Sequence, residues 1–161
     1  MQTHEDHSNM NMADNHYRHL FIMAVLSFVS MYILMYSMVN TFGNIYNNLN
    51  QFYMAGLMTA PMIIIELIVM GAMYKDKRRN TIIIGAAVIL GLLFFVFIRQ
   101  QTAISDRQFL RSMIPHHSGA ILMCERASIQ DPELKQLCQT IISSQQQEID
   151  QMESMLNNLA P

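Results

Sequence analysis

Three long apolar runs occupy most of the first hundred residues and limit what this chain can fold into. They cover about residues 20–39, 52–74 and 81–98, and the first and third contain no charged residue. Each run has 18 to 23 residues, and a helix needs about 20 to cross the hydrocarbon core of a membrane. The runs predict three transmembrane helices. The first run is too long for the apolar part of a cleavable signal peptide, which favours a retained anchor.

The distribution of basic residues predicts an orientation. Residues 75–79 carry four basic side chains between the second and third runs, whereas residues 40–51 carry none. The positive-inside rule places the basic loop and the N-terminus in the cytoplasm and everything after Arg99 outside. In a bacterium this means the inner membrane, with a periplasmic C-terminal region. The net charge of -2 argues against nucleic-acid binding.

The C-terminal region, residues 105–159, has the pattern of two amphipathic helices. Ser105 and Gln108 have capping-box spacing, and Asp131 with Pro132 is typical of a helix start. The short turn between the helices predicts an antiparallel hairpin. Because a hairpin alone buries little core, a second copy is expected to complete a four-helix bundle. The expected helices cover about residues 106–127 and 131–157.

Thioether and imidazole side chains concentrate around Pro115, where a helix is expected to kink or restart. Cu(I) favours such ligands, and an added carboxylate would suit Cu(II) or zinc. In an antiparallel hairpin, Met113 and His116 lie opposite residues of about 145–148, so the cluster can approach Gln145, Glu148 and Met152. Methionines at helical spacing are more often core fillers, and adjacent histidines point about 100° apart on an ideal helix. The candidate metal ligands are Met113, His116, His117, Met123, Glu148 and Met152.

The two cysteines, Cys124 and Cys138, flank the expected turn at similar distances. They could therefore face each other across the hairpin. A disulfide is one interpretation in an oxidising compartment. Two thiols at a metal site or two buried small side chains are the alternatives.

Polar residues in and before the apolar runs suggest weaker sites. Residues 1–19 form a polar tail, expected to be disordered, whose histidines are a weak metal-binding tract. Glu66 lies inside the second run, where a mid-membrane carboxylate usually marks a pathway or a polar contact. The tail histidines are His4, His7, His16 and His19.

Two motifs together resemble the family called domain of unknown function 305. One is Met113-Ile114-Pro115-His116-His117, and the other has Gln145, Glu148, Ile149 and Met152 at the spacing QxxEIxxM. The resemblance covers residues 105–159 and implies a ferritin-like helical domain of a bacterial, extracytoplasmic protein. Some members bind copper in the periplasm and are linked to copper resistance. Carried over by motif position, the ligands would be Met113, His116, His117, Met123, Glu148 and Met152.

The sequence therefore predicts an all-α, membrane-anchored copper-binding protein for copper tolerance or handling, forming a homodimer or higher oligomer. It is expected not to be an enzyme, because no nucleophile–base pair or phosphate loop is evident. One alternative is a structural or assembly module without metal. Others are a ferritin-like metal oxidase, which would need more inward carboxylates, and an oligomeric transporter using Glu66.

Overall fold

The computed structural model describes the backbone of residues 2–159 and the side chains of residues 15–159. Within that part the chain is all-α, and two short 3-10 helices, Met35–Met38 and Phe42–Asn44, lie in the connection between the first two α-helices. Contacts divide the chain into two units, one of residues 1–32 and 53–100 and the other of residues 33–52 and 101–161. The α-helices are α1 Gln2–Leu34, α2 Leu49–Val69, α3 Lys77–Gln100, α4 Asp106–Arg126 and α5 Pro132–Asn158.

The apolar runs fold as three helices long and apolar enough to cross a membrane, as predicted from composition. Their candidate spans are Asn15–Met38, Leu49–Val69 and Lys77–Gln100. Helix α1 begins at Gln2, before the first run. The disorder expected of the tail stays a prediction, because residues 1–14 lie outside the described side chains.

In the first unit, α2 and α3 approach closely at small residues. A Cβ atom added at Gly56 would overlap the ring of Phe94, and one added at Gly91 would lie 3.2 Å from Ala60 Cβ. Tyr53 of α2 packs its ring 5.5 Å from that of Phe97 on α3. Small residues at such crossings let helix backbones pack without help from the hydrophobic effect, which is absent between helices in lipid.

Of the two roles that the sequence left open for Glu66, a pathway or a polar contact, the structure shows a polar contact. Helix α2 ends at Val69, so Glu66 belongs to its last turn. The hydroxyl of Tyr74, just beyond the helix, donates to Glu66 Oε1 at 3.3 Å. A carboxylate near the end of a span reaches polar surroundings at lower cost than one at its centre. Glu66 therefore makes a polar contact at a helix end.

In the second unit, α4 and α5 pack against each other in opposite directions. Arg107 donates to the carbonyl of Leu159 at 2.9 Å, and Cys124 is bonded to Cys138, so residue numbers rise along α4 as they fall along α5. The buried core between these helices is apolar. It consists of Leu110, Ile114, Ile121, Ile149, Met152 and Leu156, with Tyr46, Met113, Ile142 and Leu159 packed against it.

The starts of α4 and α5 follow the sequence signals. The side chain of Ser105 accepts from Gln108 N at 3.4 Å, and that of Asp131 accepts from Leu134 N at 2.8 Å. The Gln108 side chain accepts from Leu49 N at 2.9 Å, so it links α4 to the start of α2. Helix α4 continues through Pro115, and the expected restart there is wrong.

The connection of residues 35–48, called here the α1–α2 loop, packs on α4. Asn40 N donates to the Ser118 hydroxyl at 2.8 Å, and a Cβ added at Gly119 would lie 3.4 Å from the carbonyl oxygen of Met38. Tyr46 joins the α4–α5 core. The loop therefore covers part of the core that a second copy was expected to cover.

Candidate metal centre

The site forms where α4 and α5 bring an imidazole and a carboxylate together. His117 Nδ1 lies 3.1 Å from Glu148 Oε2. His117 is 8% exposed, whereas the side chain of Glu148 is about half exposed. The distance suits an ion pair, but Nδ1 makes no hydrogen bond of acceptable geometry and is a buried polar atom without a partner. Such atoms are uncommon in folded proteins, and a bound ligand is one way to satisfy them.

His116 occupies the solvent side of the same turn. Its side chain is exposed, and its ring centroid lies 5.9 Å from that of His117, with the two ring planes 58° apart. The divergence follows from the turn of about 100° per residue in an α-helix. The two imidazoles can both serve one ion only from different sides.

Burial favours the neutral form of His117. Desolvation lowers the pKa of His117 below its ordinary value, Glu148 acts in the opposite direction, and His116 lowers it further. Neutral imidazole is the form that binds metals. The environment therefore keeps His117 ready as a ligand over a wider pH range than a solvated histidine.

The methionines that the sequence predicted as ligands do not gather as a group around His116 and His117. Met152 is buried in the apolar core, and Met113 packs against that core while partly exposed. Met123 is 55% exposed. The core positions match the alternative reading of these methionines as fillers, although thioethers at a core edge remain available to an ion that enters there.

A complete cage of hard or borderline ligands is absent from the described side chains. No group of three or more His, Cys, Asp or Glu residues among them could hold a metal ion. His117 and Glu148 provide two ligands of the type that zinc and Cu(II) accept. The described residues therefore supply two candidate ligands, His117 and Glu148, and no complete ligand cage.

The cysteines are joined to each other in a disulfide. Their Cα atoms lie 5.2 Å apart, which is usual for this bond. Of the alternatives left open by the sequence, the structure has the cross-link between α4 and α5. In this oxidised form neither sulfur is a thiolate ligand.

The N-terminal histidines lie away from this site in sequence and belong to the first unit. The His16 ring lies 6.3 Å from the Tyr74 ring, and His19 is exposed. The side chains of His4 and His7 lie outside the described residues. For the described part of the tail, residues 15–19, the structure shows no group of metal ligands.

Sequence reasoning missed the polar residues that hold α4 in place. Ser118 is fully buried, and its hydroxyl donates to Asn40 Oδ1 at 2.5 Å. Asn48 is also buried and donates to the carbonyl of Arg111 at 3.4 Å. One signal was available, since Pro115 lacks the N–H that this carbonyl would normally accept.

Fold and site together define an all-α protein with three helices of membrane-spanning length and a disulfide-linked helix pair that carries a histidine–carboxylate contact. A family model described as "Domain of unknown function (DUF305)" matches residues 98–156. The sequence is 38% identical over 141 residues to "Uncharacterized protein L153" of Acanthamoeba polyphaga mimivirus, an alignment that covers 86% of this chain and 91% of that protein. The chain belongs to the DUF305 family. No solved structure matches it.

Proposed function

We propose that this chain is a membrane-anchored metal-binding protein of the cell envelope, and that copper is its ion. The observation that carries the proposal is the buried, unpartnered His117 Nδ1 beside Glu148 Oε2. His117 would bind the ion, and Glu148 would complete the ligand set or orient the imidazole. His116 is a further ligand from the solvent side. Copper is our choice of ion because the same two helices carry Met113 and Met152, whose thioethers are of the kind that suits Cu(I).

The division of the chain into units supports the membrane topology. Residues 39–48 connect the first and second candidate spans and residues from 101 onward follow the third, yet both segments belong to one unit. In a chain with three spans these two segments emerge on the same side of the membrane. The basic loop lies between the second and third spans, so the positive-inside rule places this unit on the outer side. The disulfide fits an oxidising compartment, which in a bacterium is the periplasm.

Apolar side chains on the outer surface of α4 and α5 support self-association of this hairpin. Phe109, Leu134, Leu137 and Met155 are between 44% and 52% exposed. Phe109 and Met155 lie together at the open end of the hairpin, and neighbouring exposed apolar side chains of this kind are a candidate contact surface. A homodimer through the hairpin, resembling a ferritin-like four-helix bundle, is the arrangement that we propose.

Metal retention by the full-length chain in detergent micelles tests the proposal. The protein is loaded with Cu(I) or Cu(II), dialysed against a competing chelator of known affinity, and analysed for bound metal. His117→Ala is expected to weaken binding by about tenfold or more, and His116→Ala is expected to weaken it less. Glu125→Ala, an exposed carboxylate near the end of α4, is the matched control and leaves binding unchanged. Retention of no metal by the unaltered chain, or equal retention by the His116/His117 double variant, refutes the proposal.

A structural module without metal is the second candidate. The observation that favours it is the packing of Met113 and Met152 in the α4–α5 core, where they act as fillers. In that case the oligomeric state of the chain, measured by light scattering in detergent, is the same with copper and with chelator. A shift of oligomeric state on copper addition would favour the first proposal. We do not propose an oxidase, because the sequence contains no Glu-x-x-His motif of the kind found in di-iron bundles.

A further inference from the structure

Helix α4 contains a backbone carbonyl that its own helix cannot satisfy. Pro115 has no N–H, so the carbonyl of Arg111, four residues earlier, lacks its helical donor. The helix nevertheless continues from Asp106 to Arg126. A buried carbonyl without a donor costs free energy comparable to a lost hydrogen bond. The side-chain amide of Asn48 lies 3.4 Å from this oxygen and donates to it.

Asn48 is at the same time the N-cap of α2. Its side-chain oxygen accepts from Gln51 N at 2.9 Å, the usual contact between an N-cap and the third helical residue. The carbonyl of Tyr46 at 3.0 Å and Gln51 Oε1 at 3.1 Å are also acceptors of the Asn48 amide, so its two hydrogens are shared among three acceptors, of which the carbonyl of Arg111 is the most distant. Asn48 is 4% exposed. One buried side chain therefore joins the start of α2 to the position in α4 that proline leaves open.

A second contact holds α4 on the other side of the histidines. Ser118, directly after His117, is fully buried and exchanges hydrogen bonds with Asn40 of the α1–α2 loop. Asn40 N donates to Ser118 Oγ at 2.8 Å, and the hydroxyl donates to Asn40 Oδ1. The α1–α2 loop therefore contacts α4 on both sides of the turn that carries His116 and His117, at Arg111 before it and at Ser118 after it.

We infer that Asn48 and Asn40 are positioning residues of the proposed metal site. By holding α4 at Arg111 and at Ser118, they fix the rotation of the helix that directs His117 toward Glu148. The carbonyl of Arg111, which Pro115 leaves without a helical donor, is then the point where the α1–α2 loop attaches to α4. Asn48 and Pro115 form a matched pair, because Asn48 supplies the donor that Pro115 lacks. The effect on metal affinity rests on the proposed function, whereas the pairing itself does not.

A double-mutant cycle in the full-length chain tests the pairing. Asn48→Ser keeps an N-cap side chain but is too short to supply the amide donors. Pro115→Ala restores the N–H that the carbonyl of Arg111 needs. In the native background Asn48→Ser is expected to speed amide hydrogen exchange in α4 and to weaken copper affinity, each by about threefold to tenfold. In the Pro115→Ala background both effects are expected to shrink below about twofold.

Asn50→Ser is the matched control for the cycle. Asn50 belongs to the first turn of α2, and its amide donates to the Ser112 hydroxyl at 3.2 Å. Its partner is a side chain, so its effect is expected to be the same with Pro or Ala at position 115. If Asn48→Ser fails to fold, Ser118→Ala removes the second contact and is read in the same two assays, with the same direction expected.

The outcomes separate this inference from the proposed function. Equal effects of Asn48→Ser in both backgrounds overturn the pairing. Faster exchange in α4 without any change in copper affinity overturns the positioning role. If the unaltered chain binds no copper, the proposed function fails, while the exchange cycle still decides whether Asn48 and Pro115 are coupled.

Discussion

The disulfide between Cys124 and Cys138 is expected to supply much of the stability of the α4–α5 pair. The cysteines are 14 residues apart in sequence, so the bond closes a loop of about 15 residues, and the chain-entropy model gives roughly 3 kcal/mol for a loop of that length. The real value should be smaller, because a denatured chain keeps some local structure around so short a turn. A loss of about 2 to 3 kcal/mol is therefore expected on removal of the cross-link.

The perturbation is Cys124→Ala combined with Cys138→Ala, measured by amide hydrogen exchange of the full-length chain in micelles. Ile149, which is 1% exposed, reports opening of the α4–α5 core. Since 1.4 kcal/mol corresponds to a factor of ten, its exchange should accelerate by about 30-fold to 100-fold. The unaltered chain treated with a dithiol reductant is the control and should match the double variant.

Two results would refute the reasoning. An exchange rate at Ile149 that changes by less than about threefold would show that the cross-link adds little to the packed core. Free thiols at both cysteines, found by alkylation and mass analysis of protein isolated from membranes without reductant, would show that the bond is not formed. The second result would also remove the argument for an oxidising compartment.

Three further outcomes are expected. Gly56→Ala, which forces a Cβ into the ring of Phe94, should cost about 1–3 kcal/mol, while Gly85→Ala, where a Cβ meets nothing within 4 Å, should be neutral in the same thermal unfolding series. Ile114→Ala, at a fully buried core position, should cost about 2–5 kcal/mol, and a loss below about 1 kcal/mol would contradict the assigned core. The pKa of His117 is lowered in the fold. The contribution of neutral His117 to the free energy of unfolding should therefore be fully present above the unfolded pKa of 6.5 and should fall as the pH drops below that value. His117→Ala should weaken that pH dependence, and an unchanged thermal profile between mildly acidic and neutral pH would count against it.

Local signals in the sequence predicted where the helices lie. They predicted less well which residues pack around those helices. The apolar runs, the Ser105 cap and the Asp131–Pro132 start depend on neighbouring residues alone, and each led to the helix observed. The expected restart at Pro115 was wrong because the donor that compensates for proline comes from Asn48, more than sixty residues away in sequence. The polar contact of Glu66 with Tyr74 could not be located from the sequence, because α2 ends earlier than its apolar run.

The candidate site was predicted in part for the same reason. The antiparallel register of two helices joined by a short turn was enough to place His117 opposite Glu148. The apolar stripe could not show which methionines would enter the core, since a core filler and a metal ligand require the same helical spacing. The α1–α2 loop has no periodic pattern, so its packing on α4 could not be predicted from local sequence.

The packing of the α1–α2 loop on α4 has a consequence for biosynthesis. The loop is translated before α3, and the helices that bury its polar groups are completed roughly 100 residues later, on the order of 10 s at ordinary elongation rates. In the finished fold Asn44 and Asn48 are buried, and Asn40 is hydrogen-bonded to Ser118. During that interval these three residues have no α4 to pack against. Maturation therefore ends with a docking step that waits for synthesis of α4 and α5. A nascent chain arrested before α5 should expose this loop to protease, and release of the complete chain should protect it.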